Sequence, residues 1–424
     1  MDTFRLLHIG DVHLQSAHPR NADRLLSLDQ VITYGLTLDN LIAWLIPGDL
    51  FHTKPTTQDR NDLAERLIRM AAKAPVVLVY GNHDEPGSLD IFAKLQAPWS
   101  ICVVDRPQMV VGPTPCDQVL ACFAMPYPFK AAMVAAGIEH QALGATTQAL
   151  FDPIFMQAAA DLADAVRAGA LPVMIGHLSV GGAIASTGQP QIGTELEVSP
   201  AQLARMNVPA VGDLYQGLNH IHKHQTVGTA VYAGSIARLD FSEVEDKGFI
   251  EVEYRRDGAT WEHRWRFLPL PVPKMVHVEG RLTREAFLLD TIDGEPWPHV
   301  HARRWDGIDV RCRYRFVKAE IGALDVAKVH AEFAGCRSLV LDPIAELEHS
   351  VRAPEIAAAV TLDAKVEAYA ARQGLTLTDG LRAKLAALQG TDAERVLAQV
   401  ATQLASVGRP VPTTTTAALA EVQA

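Results

Sequence analysis

The first half of the chain alternates short apolar runs with stretches of helical spacing. Phe4–Ile9 is a strand-like run, and apolar residues then recur at Leu25, Leu28, Val31, Ile32 and Leu36, as on one face of a helix. Leu41–Ile46 is continuously apolar, Leu63, Leu67, Ile68 and Met70 repeat the helical spacing, and Val76–Tyr80 reads as another strand. Strands that are apolar throughout must be covered on both faces, so the pattern predicts a layered α/β domain. Further strands are expected at Val173–Ile175, Val208–Val211 and Val227–Tyr232. The apolar face of the Leu63–Met70 stretch is read as core, in preference to a dimer surface.

The second half changes character. A strand at Phe249–Tyr254 and the segment Trp261–Phe267 lead into Leu268-Pro269-Leu270-Pro271-Val272-Pro273, which reads as a linker. Beyond it, Gly307–Val317 alternates as a strand does, Leu324–Phe333 has helical spacing and Ser338–Leu341 is again strand-like. From about Pro354 the chain is rich in Ala and Leu, with helical spacing through Val366, Tyr369, Leu381, Leu385, Leu388, Val396, Leu397 and Val400. The expected domains are therefore 1–267, a small α+β domain at 274–345, a helical region at 354–407 and a disordered tail at 408–424.

Length and composition sharpen this. With 424 residues the chain is too long for one ordinary core, and 48% hydrophobic residues without a long apolar run fit a soluble protein with no membrane span. The N-terminal run reads as a strand and not as a signal peptide. Cys102, Cys116, Cys122, Cys312 and Cys336 give neither a disulfide framework nor a zinc pattern, which fits a reducing cytoplasm. The net charge of -11 argues against holding nucleic acid by bulk electrostatics. It leaves room for chemistry at bound cations, which are locally positive whatever the surface carries.

Four polar clusters directly follow predicted strands: Asp11-Val12-His13, Gly48-Asp49-Leu50-Phe51-His52, Gly81-Asn82-His83-Asp84 and Gly176-His177. A fifth, Asn219-His220-Ile221-His222, follows a less certain one. Loops at the carboxyl ends of strands converge on one crevice in an open α/β sheet. Asp-x-His and His-x-His each place two side chains on one side of an extended segment. Mixed imidazole and carboxylate suits Mn, Fe or Zn, and a bridging carboxylate can hold two ions about 3.5–4 Å apart for in-line displacement at phosphorus. Any one cluster alone is more simply a turn. All five in order are not.

This ordered set resembles the calcineurin-like metallophosphoesterase superfamily. The stretch Tyr232-Ala233-Gly234-Ser235-Ile236-Ala237-Arg238-Leu239-Asp240-Phe241 with Lys247-Gly248-Phe249, and the small domain around Gly307–Leu341, are similar to the SbcD nucleases. The resemblance implies a layered β-sandwich flanked by helices, a DNA-capping domain and C-terminal helices placed where the family binds its partner. It implies one ion held by Asp11, His13, Asp49 and His222, and a second by Asp49, Asn82, His177 and His220. His83 would stabilise charge on the scissile phosphate or protonate the leaving oxygen, and Asp84 would orient His83 or its loop. His52 matches a position near substrate in some relatives, and a solvated turn residue is the other reading. The family usually has Gly where Asn219 stands; if that position needs a positive φ, Asn is the least costly replacement. His8, His18, His140, His224, His301, His330 and His349 are read as non-ligands.

The resemblance further implies exonuclease and endonuclease action on ends of single- and double-stranded DNA, two divalent ions with manganese preferred, a homodimer, and an ABC ATPase partner of the SbcC type. The alternatives are a metallophosphoesterase acting on a small phosphodiester, a nucleotide or a phosphoprotein, and a non-catalytic scaffold. The intact ligand set and His83 speak against the scaffold.

Overall fold

The computed structural model describes residues 3–128, 143–186, 189, 196–207, 209, 211, 214–258, 260–296, 305–346 and 354–389. The chain divides into two compact units, Met1–Glu346 and Leu347–Ala424.

Two six-stranded sheets form the larger part of the first unit. The strands run β1 (Thr3–Ile9), β2 (Leu41–Ile46), β3 (Val76–Val79), β4 (Ile101–Val104), β5 (Gln108–Pro113), β6 (Val119–Met125), β7 (Leu171–His177), a short pair β8 (Ser179–Val180) and β9 (Glu197–Val198), β10 (Gln216–Asn219), β11 (Gln225–Val227), β12 (Ala230–Tyr232), β13 (Gly248–Asp257) and β14 (Thr260–Pro269). One sheet has the order β14-β13-β1-β2-β3-β4 and the other β11-β12-β10-β7-β6-β5. β1, β2, β3 and β4 are mutually parallel, as are β6, β7, β10 and β12. Their carboxyl ends therefore lie at common edges.

The cores explain the apolar pattern. Leu6, Ile42, Leu45, Val77 and Val79 of one sheet meet Cys122, Val173, Ile175 and Val231 of the other. On the outer face of the first sheet, Leu7, Ile9 and Trp44 pack against Leu28, Val31 and Ile32 of α1 (Asn21–Leu36) and Leu63, Leu67 and Met70 of α2 (Thr57–Ala71). On the outer face of the second, Phe123, Met174 and Leu218 pack against Phe151, Phe155 and Leu162 of α3 (Leu143–Arg167). The result is helices, sheet, sheet, helices. β2 is buried at every position because it has a layer on each side. The Leu63–Met70 face is core, as expected, while Ile68 points outward at 42% exposure.

Two expectations were misplaced: Val227–Tyr232 is not one strand but the end of β11, a turn at Gly228-Thr229 and then β12, paired antiparallel, and Val208–Val211 is not a strand. Val211 is a buried turn residue, not part of a strand, and the rest of the Val208–Val211 run lies partly outside the described residues. The strand that leads into His220 is β10, whose sequence Gln-Gly-Leu-Asn hides it. Gln216 is fully buried because its amide donates to the Leu203 carbonyl at 2.9 Å and accepts from Thr229 at 2.6 Å, so a polar residue sits where the pattern demands an apolar one.

After the 270–274 segment comes a five-stranded sheet of order β17-β16-β15-β18-β19. It comprises β15 (Met275–Leu282), β16 (Phe287–Ile292), β17 (Glu295–Pro296), β18 (Asp309–Val317) and β19 (Ser338–Glu346), covered by the helix Ala327–Glu332. It has its own core of Val278, Val310, Cys312, Tyr314, Val329 and Phe333. The anticipated helix starts three residues late, because Lys318–Ala323 takes a 3-10 turn first. Fully buried Asp309 pairs with Arg337, which also grips Asp23 at the start of α1 at 2.6 Å, so this sheet is tied to the sandwich by charge.

In the second unit the helices are Pro354–Ala358, Leu362–Arg372 and Asp379–Gln389. Val360, Leu362, Tyr369, Leu375 and Leu381 are exposed there. Val396, Leu397, Val400 and the 408–424 tail lie outside the described residues.

Candidate metal centre

All five polar clusters meet where the parallel strands of both sheets end. Asp11 follows β1, Asp49 follows β2, Asn82 and His83 follow β3, His177 closes β7, and His220 and His222 follow β10. The loops are stitched together by backbone bonds: Val12 and His13 N–H both donate to the Asp49 carbonyl at 3.0 and 2.9 Å, and His52 N–H donates to Leu14. The Asp84 carboxylate accepts from Gly81 at 3.0 Å and Phe51 at 3.1 Å, so it joins the β2 and β3 loops; the sequence left open whether it orients His83 or the loop, and its bonds go to the loops. The nitrogen His83 Nδ1 instead pairs with the His52 carbonyl at 2.8 Å.

Three of the seven proposed ligands sit in left-handed backbone: His13 at φ 53°, Asp49 at φ 54° and His220 at φ 99°. Gly48, at φ 100°, prepares the turn that delivers Asp49. Asn219 is not one of these positions. It ends β10 in register with His177, and its amide donates to the Ile9 carbonyl at 3.1 Å and accepts from His8 Nε2 at 3.0 Å. The left-handed residue is the next one. Asn219 is tolerated by pairing, not by a backbone preference.

The donor chemistry is that of a cation site. His177 Nδ1–H donates to the Pro47 carbonyl at 2.8 Å, which leaves Nε2 with its lone pair in the neutral ring. That nitrogen faces Asn82 Oδ1 at 2.9 Å and Asp49 Oδ2 at 3.4 Å, and His220 Nδ1 faces the same Asn82 oxygen at 3.0 Å. A short way off, His13 Nε2 lies 3.2 Å from His222 Nε2 and 3.5 Å from Asp49 Oδ2. Asp11 Oδ2 is buried without a hydrogen-bond partner. Acceptors pointed at one another need a positive charge between them, so these residues fit divalent ions. Asp49 Oδ2, reached from both groups, is placed to be shared.

The electrostatics show the same demand for positive charge: a proton on His177 answers it, and a cation that takes the Nε2 lone pair would replace that proton. Burial lowers the His177 imidazole, yet Asp49 and Asp11 outweigh it and lift the group to about 9. Burial would raise Asp49, but His177, His13 and His83 hold it well below the carboxylate range. Burial and then the Asp49 charge push Asp84 up to about 7. Burial carries His52 down to about 4, with Arg24 and His83 adding to it. His52 is half-buried beside the cluster, its ring stacked on His83 at 5.3 Å between centroids and its Nδ1 3.2 Å from His13. His8 and His224 are engaged elsewhere, with Tyr215 and Asn219 and with the Tyr232 carbonyl and Phe267 respectively. Burial holds His8 at about 4.

The sequence did not show the groups behind the ligands. Glu243 backs His222, its Oε1 accepting from Nδ1 at 3.0 Å, and it is bound in turn by Lys247 at 2.8 Å. Against its burial, His222 and Lys247 hold Glu243 at about 2. Gln189 brackets the His-x-His backbone, donating to the His220 carbonyl and accepting from His222 N–H at 3.1 Å. Half-buried Tyr127 packs 5.4 Å from His220. In sequence, Glu243 sits in the acidic run Glu243-Val244-Glu245-Asp246, which reads as a solvated turn.

Residues 4–120 match the family model of calcineurin-like phosphoesterases, a span that includes the first three clusters. The chain is also similar to the SbcD component of the SbcCD nuclease of Bacillus subtilis (strain 168), 24% identical over 352 residues, covering 77% of this chain and 86% of that protein.

Proposed function

We infer that this chain, a calcineurin-like phosphoesterase of the SbcD type, is a two-metal-dependent DNA nuclease that acts as exonuclease and endonuclease on DNA ends. The observation that carries this reading is the shared position of Asp49 Oδ2, 3.5 Å from His13 and 3.4 Å from His177, between two groups of acceptors. Asp11, His13, Asp49 and His222 would hold one ion, and Asp49, Asn82, His177 and His220 the other; the mixed set suits Mn, Fe or Zn, and the resemblance to the SbcD family selects Mn2+ among them. Such ions supply Lewis-acid neutralisation of a phosphoryl group and acidify water.

The protein's own part is positioning and proton handling. The His83 Nδ1 bond to the His52 carbonyl fixes the ring and leaves Nε2 as the nitrogen that takes or gives a proton. His52, stacked on that ring, holds it from the other side. Asp84 keeps the β2 and β3 loops in one register, so Asp49 and Asn82 stay at a fixed separation. The sheet at 275–346 suits a DNA-capping role: β18 turns Val310, Cys312 and Tyr314 inward and alternates them with Arg311, Arg313 and Arg315 on its other face. Arg311 and Arg313 lie 3.5 and 3.3 Å from Asp342 and Arg315 3.9 Å from Glu279, so phosphate contacts on this face would replace those carboxylates, in a chain of net charge -11.

The exposed apolar residues of the second unit fit the docking of an SbcC-type ABC ATPase, the five unpaired cysteines fit a reducing cytoplasm, and the homodimer is assigned on the resemblance to the SbcD family alone. Truncation after Glu346 is expected to spare metal-dependent cleavage and to abolish ATPase binding in a pull-down; retained binding rules the docking assignment out.

The direct test is cleavage of an end-labelled linear duplex with Mn2+, Mg2+ or EDTA. Mn2+-dependent cleavage is expected. Hydrolysis of a small aryl phosphodiester without any DNA cleavage would move the assignment to a small phosphodiester, a nucleotide or a phosphoprotein. His83→Ala is expected to lower turnover about 10²–10⁴-fold while metal stoichiometry, measured on the same sample, stays unchanged. A loss of bound metal would instead make His83 a ligand.

A further inference from the structure

We propose that Glu243 is the positioning carboxylate for His222 and sets the affinity of the first ion site without affecting the second. This rests on the two-ion reading above. The argument begins with what lies on the far side of each imidazole. His177 Nδ1 donates to a neutral group, the Pro47 carbonyl at 2.8 Å, and the Asp11 carboxylate lies beyond hydrogen-bond reach of it at 3.8 Å. His222 is backed by a carboxylate, Glu243 Oε1 at 3.0 Å. That bond assigns the His222 proton to Nδ1 and leaves the Nε2 lone pair on the side of His13, 3.2 Å away. An anionic acceptor makes the opposite nitrogen a stronger donor and stops the ring from turning.

Glu243 can do this only if its charge stays in place, and the surroundings are built for that. The residue is 1% exposed. Its Oε2 accepts from Lys247 Nζ at 2.8 Å and from Leu239 N–H at 3.0 Å. Lys247 is itself buried, and besides Glu243 it binds Glu245 at 2.9 Å and the His222 carbonyl at 3.0 Å. A buried ammonium therefore holds both the carboxylate and the backbone of the residue that the carboxylate orients. Arg238 completes the support: Nε donates to the Glu243 carbonyl at 2.8 Å and Nη1 to the Pro273 carbonyl at 2.9 Å. The carboxylate thus has no slack in either its side chain or its backbone. The two buried charges would be a liability without a task, since a well-packed apolar pair is often as stable.

The sites differ in a testable way. The first takes His222 and depends on Glu243; the second takes His177 and His220 and does not. The metal-stripped full chain is titrated with Mn2+ by calorimetry, with thermal melting of each apoprotein as the control for folding. Wild type is expected to bind two ions. Glu243→Ala should weaken one of them by about 10–100-fold and leave the other within error. Because the alanine variant leaves Lys247 with Glu245 alone as its carboxylate partner, the double variant Glu243→Gln with Lys247→Met is run beside it. There the glutamine carbonyl can still accept from His222 Nδ1 with no buried ammonium beside it, Glu245 keeps its bond from Ser186, and the loss at the same site should be smaller, below about tenfold.

Equal loss of both ions in a variant that melts like wild type would overturn the proposal, since a merely structural role predicts that. So would two unchanged affinities in both variants. A wild type that binds fewer than two ions would defeat the two-ion reading itself, and this proposal with it.

Discussion

Asp49→Ala is expected to lower metal-dependent cleavage by about a thousandfold or more while the far-UV circular dichroism spectrum stays that of wild type. The carboxylate is the group shared by the two sets of acceptors, so its loss weakens both sites at once. Metal stabilisation of phosphoryl charge is worth several kcal/mol, and each ~1.4 kcal/mol is a factor of ten. The fold does not depend on the side chain in the same measure. The backbone carbonyl of Asp49, which holds Val12 and His13, survives the substitution, and β2 is fixed by its own core. Activity within tenfold of wild type would mean that the chemistry lies elsewhere.

Gly81→Ala should be nearly as damaging, although it removes no functional group. A Cβ there would stand 2.1 Å from Asp49 Oδ1 and 2.3 Å from the Asp49 backbone nitrogen. The second contact matters more, because a backbone atom cannot swing aside as a side chain can. The loop carrying Asp49 must shift by several tenths of an ångström or more. Misplacement of about 1 Å can cost on the order of a hundredfold in rate. Overpacking of this kind also costs about 1–3 kcal/mol of stability. The checks are kcat/KM with Mn2+ and the melting temperature of the same preparation. A variant with normal kcat/KM would show that the loops have more freedom than the distances imply.

How legible this molecule is from its sequence depends on the range over which each feature is determined. β2 and the buried faces of α1 and α2 follow from local periodicity, because one layer of core sets each of them. The candidate ligands were legible for a different reason. Asp, His and Asn immediately after an apolar strand are unusual as core and informative as a set, whatever their spacing along the chain. β10 was not legible, since Gln216 and Asn219 are buried through bonds to Leu203, Thr229, Ile9 and His8, partners that no window around residue 216 contains. β6 was missed too: its run Val-Leu-Ala-Cys-Phe-Ala-Met lacks the β-branched enrichment that separates a strand from a buried helix. Glu243 carries no signal in its own neighbourhood, Lys247 is visible only as part of the stretch similar to the SbcD nucleases, and only the fold brings the pair behind His222. Asn219 shows the same limit from the other side. The expectation about its backbone angle rests on the glycine that the family usually has there, whereas its constraint comes from His8 and Ile9 of β1.

The left-handed backbone at His13 and His220 carries a consequence for how the protein evolves. Residues other than glycine are held in such conformations at about 1–3 kcal/mol each, and the surrounding hydrogen bonds must overcome that. Total stability is itself only about 5–15 kcal/mol. Selection for thermal robustness alone would put glycine or asparagine at 13 and 220, and would find the chain sturdier and inert. On the ligand assignment proposed above, the two histidines are places where stability and activity are selected in opposite directions, and robustness has to be recovered in the cores, away from the strand ends.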